Sequence, residues 1–203
     1  MGNEMDRVRI MRVADALFNE RGVHAVDMAT IRDISGVPLK RIYATFASKD
    51  ELIHEVLRQR DIDARAAIVR YVDSHADAPV DSILAVFDYL YNWFSQPEFR
   101  GCFFINAFGE MGSVSDRIAD ITRVHKCAVT DYFSELVAAA GLPADVADQL
   151  SILVNGAMAT AGIFATPETA HQAKAIARLL IDASGGPDAG RTGMPAPLAP
   201  AGA

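Results

Sequence analysis

The sequence predicts an all-α protein, and three observations carry that reading. Apolar residues recur at steps of three and four along the chain, no segment alternates apolar with polar residues as a half-buried strand would, and capping residues, glycines and prolines fall where the periodic runs begin and stop. With 203 residues, 51% of them hydrophobic, the chain can bury one large core or a small domain beside a medium one.

Each helix has its own signals. Val8, Met11, Ala14, Leu17 and Phe18 place one apolar stripe on a first helix, which Gly22 ends. Asp27 can cap a short second helix that turns Met28 and Ile31 inward and stops at Gly36. A third helix opens near Pro38, whose fixed φ suits a first turn, and carries Ile42 and Tyr43 toward the core. Ser48-Lys49-Asp50-Glu51 has the spacing of a capping box and starts a long fourth helix with Leu52, Ile53, Val56 and Leu57. After the Asp77-Ala78-Pro79 break, Ile83, Leu84, Val86, Phe87, Leu90, Trp93 and Phe94 make a wide apolar face that ends before Pro97. Further helices are expected over 103–111, from Ser115 to about Ala140, over 144–164, and over 168–183 behind Thr166-Pro167. From Gly185 the chain is rich in Gly, Pro and Ala without periodicity, so residues 185–203 are expected to form a disordered tail.

Charge and cysteine content narrow the function classes. Net charge is -7, yet residues 21–49 hold Arg21, Arg32, Lys40, Arg41 and Lys49 against only Asp27 and Asp33. A locally basic segment on an acidic body suits a nucleic-acid-binding head, because phosphate contacts need only local cations; chance clustering gives the same pattern. Cys102 and Cys127 fit neither a metal-ligand spacing nor a disulfide framework, which points to a reduced, cytoplasmic setting. No apolar run is long enough to span a membrane and the N-terminus lacks a signal-peptide pattern, so a soluble protein without a membrane partner is expected.

The most informative stretch runs from Asp27 to Phe46: a short helix, Gly36 at a turn, and a second short helix carrying Lys40, Arg41 and Tyr43. That is the layout of a helix-turn-helix, in which the second helix enters a major groove and the first lies across the backbone. Two short helices joined by glycine also occur in proteins that bind no DNA.

Here the chain resembles the TetR family of transcriptional regulators. Ala16-Leu17-Phe18, Arg21-Gly22, Ile31, Gly36-Val37, Ile42-Tyr43, Phe46 and Ser48-Lys49-Asp50-Glu51-Leu52 agree with the family pattern at fixed spacing over residues 8–57. Arg100-Gly101-Cys102 before Asn106 further resembles the start of that family's sixth helix. The resemblance implies a DNA-binding head over residues 1–50, a ligand-binding and dimerisation domain over 51–184, and a repressor released from a palindromic operator by a small hydrophobic molecule. It places DNA contacts at Asp27, Thr30, Pro38, Leu39, Lys40, Arg41, Tyr43, Ala44 and Lys49. Two departures stand out: Arg32 occupies a position where the family has alanine, and Pro38 removes a backbone donor from a position where polar residues are frequent.

For the larger domain the resemblance implies a cavity between helices five to seven. Phe87, Trp93, Phe94, Phe103, Phe104, Asn106, Phe108, Met111, His125 and Tyr132 are its candidate lining, although each aromatic alone also suits an ordinary core position. Asn106 and His125 are the candidate polar groups. Small residues crowd the last two helices, and Ile152, Asn155, Gly156, Ala159, Ile163, Ala173 and Ala177 are the candidate contacts of a homodimer, with tight packing inside one chain as the alternative. No catalytic motif, cofactor or metal-ligand spacing is present: His24, His54, His75, His125 and His171 form no HExxH, and Asp61-Ile62-Asp63 and Asp116 to Asp120 read as solvated helix faces. A helical enzyme and a helical interaction module are the alternatives to a DNA-binding regulator.

Overall fold

The computed structural model describes residues 2–185. Nine helices and no strand occur among the described residues: α1 (Gly2–Arg21), α2 (Met28–Ser35), α3 (Leu39–Thr45), α4 (Lys49–His75), α5 (Pro79–Phe94), α6 (Phe103–Met111), α7 (Asp116–Ala139), α8 (Asp145–Phe164) and α9 (Glu168–Ser184). None of them is long and apolar enough to cross a membrane. Apart from Gly185, the expected tail lies outside the described residues.

The helix boundaries follow from local chemistry. Gly22 ends α1 at φ +84 with its N–H donating to the Phe18 carbonyl at 3.0 Å. Asp27 and Ser48 cap α2 and α4 by accepting from the Thr30 and Glu51 amides. The capping box of α4 is shifted by one residue: Glu51 Oε2 accepts from Ala47 N at 2.7 Å, where the reciprocal bond ordinarily goes to the cap residue itself. Ser115 caps α7 in the same way, and Pro79 stands at the first turn of α5.

The apolar stripe of α1 is Ile10, Ala14, Leu17 and Phe18, all buried, whereas Val8 is exposed. At 3.6 residues per turn, Ile10 shares a face with Ala14 and Phe18, and Val8 is turned away from it. Tyr43, expected to point toward the core, is 48% exposed; its neighbour Ile42 alone anchors α3.

α1 packs against α2, α3 and the start of α4, where Leu52, Ile53, Val56 and Leu57 are buried. Beyond them α4 continues to pack on α5 and α7, so this one helix, about 40 Å long at 1.5 Å per residue, joins the N-terminal bundle to the rest. α5, α7, α8 and α9 form the larger body around Phe87, Leu90, Phe133 and Leu150. α6 lies on α7. Close approach fixes how α8 passes the chain ahead of α6: a Cβ on Gly162 would stand 3.1 Å from the Gly101 Cα.

Candidate functional site

The turn between α2 and α3 depends on one backbone conformation. Gly36 sits at φ +66, ψ 11, the left-handed region, and donates to the Arg32 carbonyl at 2.9 Å. Ser35, buried beside it, accepts from Val37 N at 3.2 Å and fixes the exit of the turn. The Arg32 guanidinium pairs with the neighbouring Asp33 at 2.7 Å, with its side chain 43% exposed.

α3 thus buries Ile42 and turns Lys40, Arg41, Tyr43 and Ala44 to solvent, with Pro38 exposed and Leu39 half-buried at its start. Arg41 is held by an ion pair to Asp6 of α1, which sets the direction of its guanidinium. Two further residues of the expected DNA-contact set are engaged within the protein. Asp27 accepts from the Thr30 amide at 2.7 Å, a bond that holds its carboxyl below the usual range. Lys49 Nζ donates to the His24 carbonyl at 3.0 Å, and burial pushes its ammonium down. From the other side, Glu110 at the end of α6 accepts from the His24 amide at 2.7 Å. The loop between α1 and α2 is therefore clamped by α4 and α6 together.

A cavity of about 670 Å³ opens between α4, α5, α6, α7 and α8. Of the residues expected to line it, Trp93, Phe103, Phe104, His125 and Tyr132 do so. Phe87 is fully buried behind the wall against Phe133, and Phe94 packs on Phe99 with ring centroids 4.6 Å apart. Phe108 is 45% exposed, and Met111 packs at the edge of the core. Asn106, one of the two expected polar groups, lies outside the cavity and donates to the Arg100 carbonyl at 3.0 Å. α6 buries Phe103, Phe104 and Ala107, and Asn106 and Phe108 fall beyond the edges of that narrow face.

The polar part of the cavity comes largely from residues the sequence reading passed over. Behind the cavity wall, Asp61, which the sequence suggests lies on a solvated face, is 8% exposed and supports the lining residues His125 and Arg65. One of its oxygens stands 2.8 Å from His125 Nδ1, and both bind Arg65, at 2.9 and 2.7 Å. Phe104 stacks on the His125 ring at 3.6 Å between centroids, with the planes 6° from parallel. Burial pushes the His125 imidazole down more than the Asp61 bond raises it, so the ring is neutral near pH 7 and its Nδ1–H donates to Asp61. Burial raises the Asp61 carboxyl, but the bonds from Arg65 and His125 outweigh it and hold the group below the usual range. Arg60 pairs with Asp15 and lies 4.2 Å over the Phe103 ring. Lys126 donates to Asn155 Oδ1 at 2.7 Å. The only signal of these groups in the sequence was an i, i+4 spacing of Asp61 and Arg65, which also fits an exposed ion pair.

On the far side of the body, Ile152, Gly156, Ala159 and Ile163 form an outward stripe along α8, with Ile152 72% and Ile163 76% exposed. Ala173 and Ala177 of α9 are not part of that surface: both are buried within the chain, and Ile176 and Leu179 face outward in their place. Asn155 is half-buried and turned toward Lys126. A small side chain permits close packing on either side of a helix, so composition alone does not reveal which side is free.

A short helix, a left-handed glycine turn and a second helix with outward cations, set on a helical body with an internal cavity, define a helix-turn-helix regulator of transcription. Residues 10–56 match the model of the tetR family of bacterial regulatory proteins. A TetR-family transcriptional regulator from Streptomyces coelicolor shares 27% identity at a TM-score of 0.81, over 88% of this chain and 89% of that one. The fold also matches a TetR transcriptional regulator from Chloroflexus aurantiacus (22% identity, TM-score 0.76, 90% and 95% covered) and one from Cytophaga hutchinsonii (14%, 0.79, 91% and 96%). No curated protein matches the chain. Residues 10–56 are thus similar to the DNA-binding segment of the tetR family, and the described chain shares its fold with TetR-family transcriptional regulators.

Proposed function

We propose that the protein is a homodimeric repressor whose α3 reads the major groove of a palindromic operator and which a small molecule in the cavity releases from DNA. The observation that carries the reading is α3 itself, which is anchored by Ile42 and presents Lys40, Arg41, Tyr43 and Ala44 outward from a turn fixed by Gly36. Lys40 and Arg41 are suited to base edges or phosphates and the Tyr43 hydroxyl to a phosphate oxygen. The outward stripe of α8 with Ile176 and Leu179 of α9 supports a two-fold contact, since aliphatic side chains this exposed gain most by being covered. The head is assigned to residues 1–50 and the ligand-binding and dimerisation domain to 51–184, with α4 crossing the boundary.

The release mechanism follows from α6. Its first residues, Phe103 and Phe104, line the cavity, and Glu110 near its end holds the loop that precedes α2. A ligand that displaces Phe103 and Phe104 shifts α6 and with it the clamp on the head. In a dimer the two α3 helices must lie about 34 to 36 Å apart to meet successive major grooves, so a small rotation of each head breaks the match.

The test is a gel shift on the promoter fragment beside the gene, repeated at low and high salt. Salt-sensitive binding is expected, with Lys40→Ala and Arg41→Ala each weakening it by about 1 to 3 kcal/mol at matched salt without unfolding. Tyr43→Phe should weaken specific and non-specific binding alike. Unchanged affinity in both cation variants removes α3 as the recognition helix. Titration against Trp93, the single tryptophan, reports ligand binding. A ligand that saturates the cavity and leaves DNA affinity unchanged overturns the switch.

A further inference from the structure

Three cations line the cavity, and two of them are neutralised there. Arg60 is paired with Asp15 and Arg65 with Asp61. Lys126 has no carboxylate within ion-pair distance among the described residues; its Nζ donates to Asn155 Oδ1 at 2.7 Å and lies 3.3 Å from Cys102 Sγ. Neither partner is a carboxylate, and an ammonium has three N–H donors, so one donor is left over and no ion pair meets the charge. Cys102, Phe104, His125, Val154 and Met158, which line the same cavity, are all buried, and in such surroundings an unpaired charge is costly until an anion meets it.

We propose that Lys126 anchors the head group of the effector and that the effector is an aromatic monocarboxylate. The inference rests on the cavity being the effector site. A carboxylate oxygen on Nζ would complete the third hydrogen bond and offset the charge, a pairing stronger than a neutral hydrogen bond. The ring system is argued from Trp93, Phe103, Phe104 and Tyr132, whose faces and edges favour a flat aromatic body, and the cavity's 670 Å³ falls in the range that holds compact organic ligands. The single charge is argued from Asp63, Asp131 and Glu135, exposed residues that line the same cavity, because their carboxylates repel a second negative charge.

Calorimetric titration of the full-length protein with 2-naphthoate, 2-naphthylmethanol and 2-naphthylmethylamine separates the head group from the ring. The carboxylate should bind at least about tenfold tighter than the alcohol. Lys126→Met should bring the two together, with an unaltered far-ultraviolet circular dichroism spectrum and retained naphthyl binding to show that the variant folds and keeps its cavity. Lys126→Arg should retain the preference for the carboxylate. Equal binding of carboxylate and alcohol by the unaltered protein, tightest binding of the amine, no binding of any of the three, or a preference that survives in Lys126→Met overturns the assignment. A carboxylate that binds through Lys126 and fails to release DNA leaves this assignment standing and defeats the regulatory reading, so the two failures are distinct.

Discussion

Lys40 and Arg41 stand on the outer face of a seven-residue helix, whereas Arg60, Arg65 and Lys126 are turned to the wall of a cavity. Lys40 faces open water and Arg41 is held at the surface by its ion pair to Asp6, and bulk water keeps both charges inexpensive until DNA arrives. At the cavity wall Asp15 pairs with Arg60 and Asp61 with Arg65, so both arginines meet their counter-charge within the protein. The contrast separates two designs made from the same helices: a surface whose charges water screens, and a cavity wall that pairs both of its arginines with carboxylates.

Breaking the head without the body is the strongest test of that division. Ile42→Ala removes the one fully buried side chain of α3 and should destabilise by about 2 to 5 kcal/mol. DNA binding should vanish, while ligand binding followed at Trp93 persists. Loss of both together in one thermal transition would mean that α4 makes head and body a single cooperative unit.

Next in size is Asp61→Asn, expected to cost about 1 to 3 kcal/mol because it weakens a buried, doubly bonded acceptor. The same network predicts a pH dependence confined to the body. Because the folded protein favours neutral His125, the unfolded chain takes up the proton first as pH falls through about 6.5, and stability drops there. The depressed Asp61 carboxyl contributes stability above the ordinary carboxylate range that is lost at more acidic pH. The melting temperature of the unaltered protein should therefore decline between pH 7 and 5.5, and His125→Gln should flatten that decline. An unchanged slope would show that the histidine is not held neutral.

Gly36→Ala sharpens the view of the head. A Cβ there meets no atom within 4 Å, so the whole effect is backbone strain at φ +66, about 1 to 2 kcal/mol. Weakened DNA binding is expected with little change in ligand affinity. Ser48→Ala should have the smallest effect, about 1 kcal/mol, through loss of the bond to the Glu51 amide. Equilibrium urea denaturation measures both, and a Ser48→Ala change below the error of that method would mean the shifted Glu51–Ala47 bond suffices as a cap.

Much of the head was legible in advance because its signals are local. Asp27, Gly36 and Ser48 act on backbone groups within four residues, and that chemistry is the same in any fold. The cavity was legible only in part. Phe103, Phe104 and Trp93 could be named as aromatic and helical, but Asn106 and Phe108 fell on the wrong face of α6 and Phe87 behind the wall. Asp61 was misread because a carboxylate four residues from an arginine looks the same on a solvated helix as on a buried one. Its partner His125 is 64 residues away.

By itself, then, the sequence determined where helices start and stop and which turn holds the two short helices, since each of these depends on neighbours along the chain. Which charges meet was decided by the tertiary structure alone. Arg41 with Asp6, Glu110 with the His24 amide, and Lys126 with Asn155 instead of a carboxylate all depend on how α1, α4, α6, α7 and α8 pack, and electrostatic pairing follows distance in space and not separation in sequence.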